Sequence, residues 1–107
     1  MASPVEQLAG LDRLIHEAAR LAILSALSAC ASADFTFLQR LTGLTVGNLS
    51  SHLVKLEEVG YIRLEKSFVG RKPNTQVQLT PAGRKALEQH WRQLESLRRA
   101  MQAWRPA

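Results

Sequence analysis

The chain has 107 residues, of which 46% are hydrophobic and 21% charged, so it is long and apolar enough for one folded domain with a modest core. Four basic and six acidic side chains give residues 1–60 a net charge of −2, whereas ten basic and three acidic ones give residues 61–107 a net charge of +7. This composition argues against a disordered chain, and the asymmetry favours a polyanionic partner near the C-terminal half. Charge alone is weak support, because many basic surfaces are simply solvated.

The cysteine content and the apolar segments indicate the cellular compartment. Cys30 is the only cysteine, so no intrachain disulfide can form, and we expect this residue to be an inert, largely buried thiol. The apolar run 21–31 is much shorter than the roughly 20 residues that a bilayer requires, and the first residues lack the pattern of a secretory signal. These features predict a cytoplasmic protein without a membrane segment.

Two helices are predicted in the first third of the chain. Ser3 and Pro4 provide a typical helix start, and apolar residues recur at helical spacing over 5–15, although Gly10 weakens this helix. A kink then leads into a second helix at about 17–29. Because this second helix is apolar over much of its circumference, we expect it to be the central buried one.

Two short helices follow in close succession. Asp34 caps a third helix at about 36–42, which ends at Gly43, and Phe35 is expected in a very short strand just before it. Thr45 caps a fourth helix immediately afterwards. Two short helices joined by a three-residue turn have the dimensions of a helix-turn-helix.

The fourth helix is amphipathic in the way that a DNA recognition helix requires. One face is an apolar stripe, whereas the other is small and polar and allows a close approach to the floor of the major groove. The candidate DNA-binding residues are Thr45, Gly47, Asn48, Ser50, Ser51 and Lys55. Asn48 is expected to read adenine, whereas Lys55 and the positive helix end near Thr45 suit phosphates. Taken alone, a merely solvated polar face explains this pattern equally well.

From Tyr61 the apolar period changes from about 3.6 to 2, which predicts a β-hairpin over about 61–80. Its tip, 70–74, combines turn residues with basic side chains. The candidate DNA-binding residues of this wing are Lys66, Arg71, Lys72 and Asn74. As a lone feature, such charges more often just keep a loop soluble. A helix-turn-helix followed directly by a basic hairpin is, however, the order of elements in a winged helix.

Thr80 and Pro81 begin a last helix that extends to about Trp104. Its apolar residues recur every three or four positions, and the earlier elements already supply the core of so small a domain. A helix that is about 36 Å long, at ~1.5 Å per residue, therefore exposes an apolar stripe that needs a partner. We expect a homodimer whose interface comprises Leu8, Leu11, Leu87, Trp91, Leu94, Met101 and Trp104.

Several sequence blocks carry a family resemblance that spans roughly residues 11–90. The blocks are Leu11-Asp-Arg-Leu-Ile-His16, Arg20-Leu-Ala-Ile-Leu24, Leu44-Thr-Val-Gly-Asn-Leu-Ser-Ser-His-Leu53, Lys66-Ser-Phe-Val-Gly-Arg-Lys-Pro73 and Leu79-Thr-Pro-Ala-Gly-Arg84. They resemble a family of small bacterial and archaeal winged-helix regulators, which is similar to the multiple-antibiotic-resistance (MarR) and arsenical-resistance (ArsR) superfamily. The resemblance implies a winged-helix dimer that binds duplex DNA, with 46–56 as its recognition helix and 66–74 as its wing.

The predicted fold is therefore mainly α with a small β-hairpin, an α+β winged helix-turn-helix with additional N- and C-terminal dimerisation helices. Residues 1–107 are expected to form one domain, in which about 34–59 are the helix-turn-helix, about 61–80 the wing and about 81–104 the dimerisation helix. The predicted function is sequence-specific binding of double-stranded DNA by a prokaryotic regulator, as a homodimeric repressor.

Other functions have less support from the residues. A winged helix that binds another protein would present a more apolar recognition face, and a ligand-gated sensor would need a site in the dimer cleft, where few polar groups cluster. His16, His52 and His90 share no metal-ligand spacing, so we expect no metal or cofactor. His52 is expected to pack or form hydrogen bonds locally, with a phosphate contact as the less favoured alternative. Control of DNA binding by a small apolar effector remains an open alternative. The run 50–52 is not a nucleophile arrangement, because adjacent helical residues do not face one another, so no enzymatic activity is expected.

Overall fold

A computed structural model describes residues 4–105, except for the side chains of Val5 and Leu8. The predicted helix cap Ser3 lies outside the described residues. The elements, in chain order, are α1 (Pro4–Ala9), α2 (Ala18–Ser28), β1 (Ala33–Asp34), α3 (Phe35–Thr42), α4 (Val46–Glu58), β2 (Ile62–Val69), β3 (Lys72–Leu79) and α5 (Pro81–Ala103). The molecule is mainly helical with one small antiparallel sheet, which confirms the predicted fold class.

The first helix is shorter than predicted, because α1 does not reach Ile15. The Asp12 carboxylate accepts hydrogen bonds from the backbone N–H groups of Leu14 and Ile15, at 2.9 and 3.4 Å. Such bonds compete with helical ones, and Gly10 already weakens the helix, so the chain turns here. The segment 10–17 is consequently an irregular link between α1 and α2.

Helix α2 is the central helix of the core, as predicted. Ile23, Leu24 and Leu27 are fully buried, and α2 contacts α3, α4, α5 and β3. Glu17 begins the helix by accepting a hydrogen bond from the Arg20 N–H at 2.9 Å. The remaining elements are therefore arranged around this helix.

Helices α3 and α4 form the predicted helix-turn-helix. Asp34 caps α3 by accepting a hydrogen bond from the Phe37 N–H at 2.7 Å, and Gly43 ends the helix with a left-handed φ of 68°. The expectation that Phe35 lies in a strand is wrong, because the cap makes it the first residue of α3. The short strand before the helix is formed by Ala33 and Asp34.

The three strands pair antiparallel in the order β1-β3-β2. Val69 pairs with Lys72, so only Gly70 and Arg71 connect β2 to β3. The turn is therefore shorter than the predicted tip 70–74. Gly70 has a φ of 65°, a conformation that permits a two-residue hairpin loop.

Helix α5 begins in direct contact with the end of the helix-turn-helix. The Thr80 hydroxyl accepts a hydrogen bond from the Gly83 N–H at 3.0 Å and donates one to the Gly60 carbonyl. A Cβ atom at Gly83 would overlap the carbonyl oxygen of Tyr61, so α5 packs directly on this backbone. Beyond the core the helix continues outwards, and the molecule measures 66 × 26 × 21 Å.

Candidate nucleic-acid interface

Helix α4 presents its small polar face to solvent. Thr45 caps the helix, and its hydroxyl accepts a hydrogen bond from the Asn48 N–H at 3.1 Å. The buried side of the helix is formed by Leu49, Leu53 and Leu56. The candidate residues that are exposed are Thr45, Gly47, Asn48, Ser51 and Lys55, and Ser50 is half-buried. The orientation needed for DNA recognition is therefore present.

The β2–β3 hairpin projects next to α4 and carries exposed basic side chains. Lys66, Arg71 and Lys72 are exposed, whereas Asn74 is half-buried. Arg71 occupies the turn, and the two lysines lie on the paired strands. A two-stranded ribbon with cations at its tip has the size and charge to contact a DNA backbone or minor groove.

The recognition helix and the hairpin share one cleft of about 370 Å³. Three of the predicted DNA-binding residues lie together in its lining, namely Ser50, Lys66 and Asn74. Arg71 and Lys72 lie farther along the hairpin, and they are absent from the cleft. The cleft thus joins the two predicted contact surfaces along the middle of the hairpin.

The sequence did not single out two hydroxyl-bearing residues in this lining. Thr36 lies in the first turn of α3, and Thr75 pairs with Lys66 across the hairpin. Thr36 was detectable in principle, since it follows the Asp34 cap at the start of the helix-turn-helix. Thr75 was not, because its position depends on the strand register.

A polar cluster holds the recognition helix against the start of α2. The Arg20 guanidinium lies 3.1 Å from Nδ1 of His52 and also donates to the Leu14 carbonyl. Glu17 lies 3.8 Å from the same imidazole nitrogen. Burial alone would raise the pKa of Glu17, but the N–H groups of Arg20 and Ala19 lower it below the ordinary value. The expected local hydrogen-bonding role of His52 is confirmed.

Helix α5 carries the exposed apolar side chains of the predicted dimer interface. Trp91, Met101 and Trp104 are 45%, 58% and 55% exposed, and Leu94 is half-buried. These residues recur along one side of the helix. Most of this side lies beyond the core. The single chain therefore leaves a large apolar stripe uncovered.

Two residues of the predicted interface are instead part of the core of the single chain. Leu11 and Leu87 are only 6% and 3% exposed, so little of either side chain is available to a partner. The reason is that the turn at 10–17 brings Leu11 inwards, and the first turns of α5 still belong to the core. Leu8, the remaining predicted interface residue, has a side chain outside the described residues.

His90 is a buried polar residue on α5. Its Nε2 lies 3.4 Å from Nδ1 of His16 in the α1–α2 link, and its Nδ1 has no hydrogen-bond partner among the described residues. Burial, followed by the charge of His16, lowers the pKa of His90, while Asp12 opposes this shift. The imidazole therefore favours its neutral form.

The expectation that Cys30 is buried is wrong. It lies just after α2, where the chain leaves the core, and its thiol is exposed and donates to the Ala26 carbonyl at 3.3 Å. Among residues 4–105, no cluster of three histidine, cysteine, aspartate or glutamate side chains is placed to hold a metal ion. The helices in this range are also too short or too polar to cross a membrane.

A family model for the winged helix DNA-binding domain matches residues 19–98. An uncharacterised protein of Methanocaldococcus jannaschii is 32% identical over 78 residues, which cover 73% of this chain and 85% of that protein. The family-model match therefore includes the helix-turn-helix, the hairpin and most of α5.

Solved structures of transcriptional regulators share the whole arrangement. A regulator homologue from Pyrococcus horikoshii has a TM-score of 0.81 at 26% identity, over 92% of this chain and 96% of that one. A MarR-family regulator from Silicibacter pomeroyi has a TM-score of 0.65 at 25% identity, over 96% of this chain and 69% of that one. An ArsR-family regulator has the same fold. This chain belongs to the winged helix DNA-binding family, and it is a transcriptional regulator of the MarR and ArsR kind rather than an enzyme.

Proposed function

We propose that the protein binds specific sequences of double-stranded DNA as a homodimer and represses transcription by occupying a promoter. The observation that carries this proposal is the position of the exposed polar face of α4 beside the cationic hairpin, with one cleft between them. Both surfaces can therefore engage one stretch of duplex together.

The recognition helix supplies sequence readout in this proposal. Asn48 is exposed one turn after the Thr45 cap, where its amide can reach a base edge and pair with adenine through two hydrogen bonds. Gly47 and Ser51 are small, so the helix backbone can approach the groove floor. Lys55 lies one turn farther on, where it suits a phosphate.

The hairpin supplies affinity that depends little on sequence. Arg71 and Lys72 are exposed at its end, where they can neutralise phosphates or enter the neighbouring minor groove. Lys66 lies midway along β2, in the cleft that the hairpin shares with α4. These three cations contribute to the net charge of +7 of residues 61–107.

The dimer places two recognition helices on one face of the duplex. The stripe of Trp91, Leu94, Met101 and Trp104 supports self-association, because it repeats along α5 and is uncovered in one chain. Two copies related by a two-fold axis would read half-sites one helical turn apart, at roughly 34 Å. Occupancy of such a site within a promoter accounts for repression.

Selection of bound sequences from random duplex DNA, followed by salt titration, tests the proposal. We expect a palindromic site, and an R71A/K72A variant whose log–log salt slope is smaller by about 2, since each lost phosphate contact removes about 0.9. An R98A/R99A variant, which removes two charges from the distal part of α5, should leave the slope unchanged. An unchanged slope in the double variant, or no enriched sequence, would refute this mode of binding.

A further inference from the structure

The end of the β2–β3 hairpin carries a large aromatic side chain that the fold does not cover. Phe68 is 73% exposed, more than any other large apolar side chain that the structure describes. It lies just before the turn and pairs with Pro73 on β3. Cross-strand packing therefore uses only a small part of the aromatic surface. The rest of the ring would gain free energy if another molecule removed it from water.

Strand alternation directs Phe68 to the side of the hairpin that faces α4. Ile62 and Leu64 precede it at even spacings on the same face of β2, and Ile62 is buried in the core. Lys66 follows on that face and lines the cleft beside α4. At about 3.3 Å per residue, Phe68 lies roughly 7 Å beyond Lys66. The ring therefore extends the α4-facing side of the hairpin past the cleft.

The surroundings of the ring are cationic. The segment 66–75 contains Lys66, Arg71 and Lys72 and no acidic residue, and all three cations are exposed. Such a tip repels a second hairpin of the same kind and any basic partner. It is complementary to a polyanion with an apolar interior. Duplex DNA has this character, because its stacked bases lie behind two phosphate strands.

We propose that Phe68 enters the minor groove beside the half-site that α4 reads, where its ring wedges between two base pairs and bends the duplex. Arg71 and Lys72 contact the phosphates on either side of it. This inference rests on the proposed function, to which it adds a deformation of the DNA. Apolar wedges of this kind unstack one base step and kink DNA by about 20–90°. Because pyrimidine–purine steps unstack most easily, the flank of the half-site should contain TA or CA/TG.

An anionic membrane surface is the occupant that competes with this assignment, because segments with basic and aromatic residues also bind lipid headgroups. The direction of the ring favours DNA. Phe68 lies on the α4-facing side of the hairpin, whereas Val69, the other exposed apolar residue of the tip, lies on the opposite face. A membrane would cover both side chains, but a duplex docked on α4 meets only Phe68.

The direct test places 2-aminopurine in the flanks of the selected site, since its fluorescence rises when a base step unstacks. We expect the wild-type protein to raise the fluorescence at one flanking step of each half-site. Energy transfer between dyes at the two duplex ends should report a bend of at least about 20°. Phe68→Ala should lose both signals while it remains bound at saturating protein, whereas Phe68→Leu, which keeps an apolar wedge, should retain part of the bend. Val69→Ala is the matched control and should bend DNA as the wild type does.

The sequence preference of the flank provides a second readout. Selection with the wild type should enrich a pyrimidine–purine step there, and replacement of this step should weaken binding about fivefold or more. Phe68→Ala should lose this preference and keep the half-site sequence that α4 reads. Urea denaturation and the amide NMR signals of Asn74 and Thr75 verify that the hairpin of Phe68→Ala stays folded.

The outcomes separate this inference from the proposed function. A straight duplex with stacked flanks in the wild-type complex would overturn the wedge and leave the proposed function intact. Equal bending by wild type and Phe68→Ala would assign the bend to other contacts and refute the role of the ring. Absence of all DNA binding would refute the proposed function, and the wedge with it. Binding to phosphatidylglycerol vesicles that both Phe68→Ala and Val69→Ala abolish would assign the tip to a membrane surface instead.

Discussion

Asp34, Thr45 and Thr80 each direct a side-chain oxygen at the backbone N–H three residues ahead. Each oxygen satisfies a donor that the first turn of a helix leaves unpaired, so these residues determine where α3, α4 and α5 begin. Cap chemistry is local, which is why the sequence identified all three. It also positions Asn48, whose backbone N–H is held by Thr45 while its side chain stays exposed.

Gly83→Ala should destabilise the protein, although alanine is the better helix former. The added Cβ would overlap the Tyr61 carbonyl oxygen, which also accepts the Thr80 N–H and cannot easily move. We expect a loss of about 1–3 kcal/mol in the free energy of unfolding, measured by urea denaturation. Gly47→Ala is the matched control, since nothing lies within 4 Å of its Cβ position, and it should be neutral or stabilising. Equal behaviour of the two variants would contradict the close packing.

Asn48→Ala should reduce discrimination between DNA sites more than it reduces affinity for DNA in general. A side chain that pairs with a base edge contributes about 1–3 kcal/mol of discrimination, whereas a phosphate contact contributes to every sequence equally. The ratio of Kd values for the selected site and a scrambled site, at one salt concentration, measures this. Lys72→Ala should weaken both equally. A preserved ratio in Asn48→Ala would show that another residue reads the sequence.

At the scale of elements, the hairpin and α5 are held by different kinds of contact. The hairpin depends on its strand register, which places Lys66 and Thr75 side by side at the cleft. Helix α5 depends on core packing at its start and on the α1–α2 link farther along, where His16 meets His90. The contact between His16 and His90 joins two imidazoles, and the pKa of His90 is lowered there. This contact therefore depends on pH.

The stability of the protein should fall on acidification because of His90. Its pKa is lowered in the folded state, so the fold favours the neutral imidazole. In an unfolded chain the pKa of a histidine is about 6.5. The stabilisation is therefore complete above that value and is lost as the pH falls towards the lower pKa of the folded state.

We expect the free energy of unfolding to decrease by up to about 1.4 kcal/mol per pH unit below pH 6.5, as followed by thermal or urea unfolding. His90→Leu should flatten this dependence below about pH 6.5, since it removes the titrating group. Cys30→Ser, a substitution at an exposed site, should keep it. If the leucine variant keeps the wild-type slope, the dependence arises elsewhere.

At the scale of the whole molecule, the elongated shape separates the candidate DNA-binding surface from the apolar stripe of α5. The compact part holds the candidate DNA surface, whereas the outer part of α5 carries the apolar stripe away from it, in a molecule 66 Å long. Burial of Leu11 and Leu87 within one chain makes the compact part self-sufficient. In the proposed dimer, a second copy would cover the stripe and would not complete the core.

Light scattering at micromolar concentration should give about twice the chain mass of 11.9 kDa. Met101→Glu should produce a folded monomer, because a carboxylate in the middle of the apolar stripe would be buried in the interface. Ala103→Glu introduces the same charge on the other side of α5 and should remain dimeric. A wild-type monomer, or equal dissociation of the two variants, would refute this interface.

The sequence by itself determined the order and type of the elements from α2 to α5, because caps, helical periodicity and strand alternation are local properties. Local signals were misleading at several places, among them the first helix and Cys30. The apolar spacing over 5–15 suggested a longer helix, but the Asp12 side chain competes for the backbone and the chain turns. Cys30 has apolar neighbours in sequence, yet it follows the last core turn of α2 and is exposed.

Only the tertiary structure decided which apolar residues of the terminal helices are used within one chain and which are left exposed. Leu87 and Trp91 share one helical pattern, yet Leu87 belongs to the buried core and Trp91 is 45% exposed. The cleft was likewise invisible in the sequence, since its walls come from α3, α4 and the hairpin. Periodicity gives the direction of a side chain relative to its own helix or strand, whereas burial depends on what other elements place in front of it.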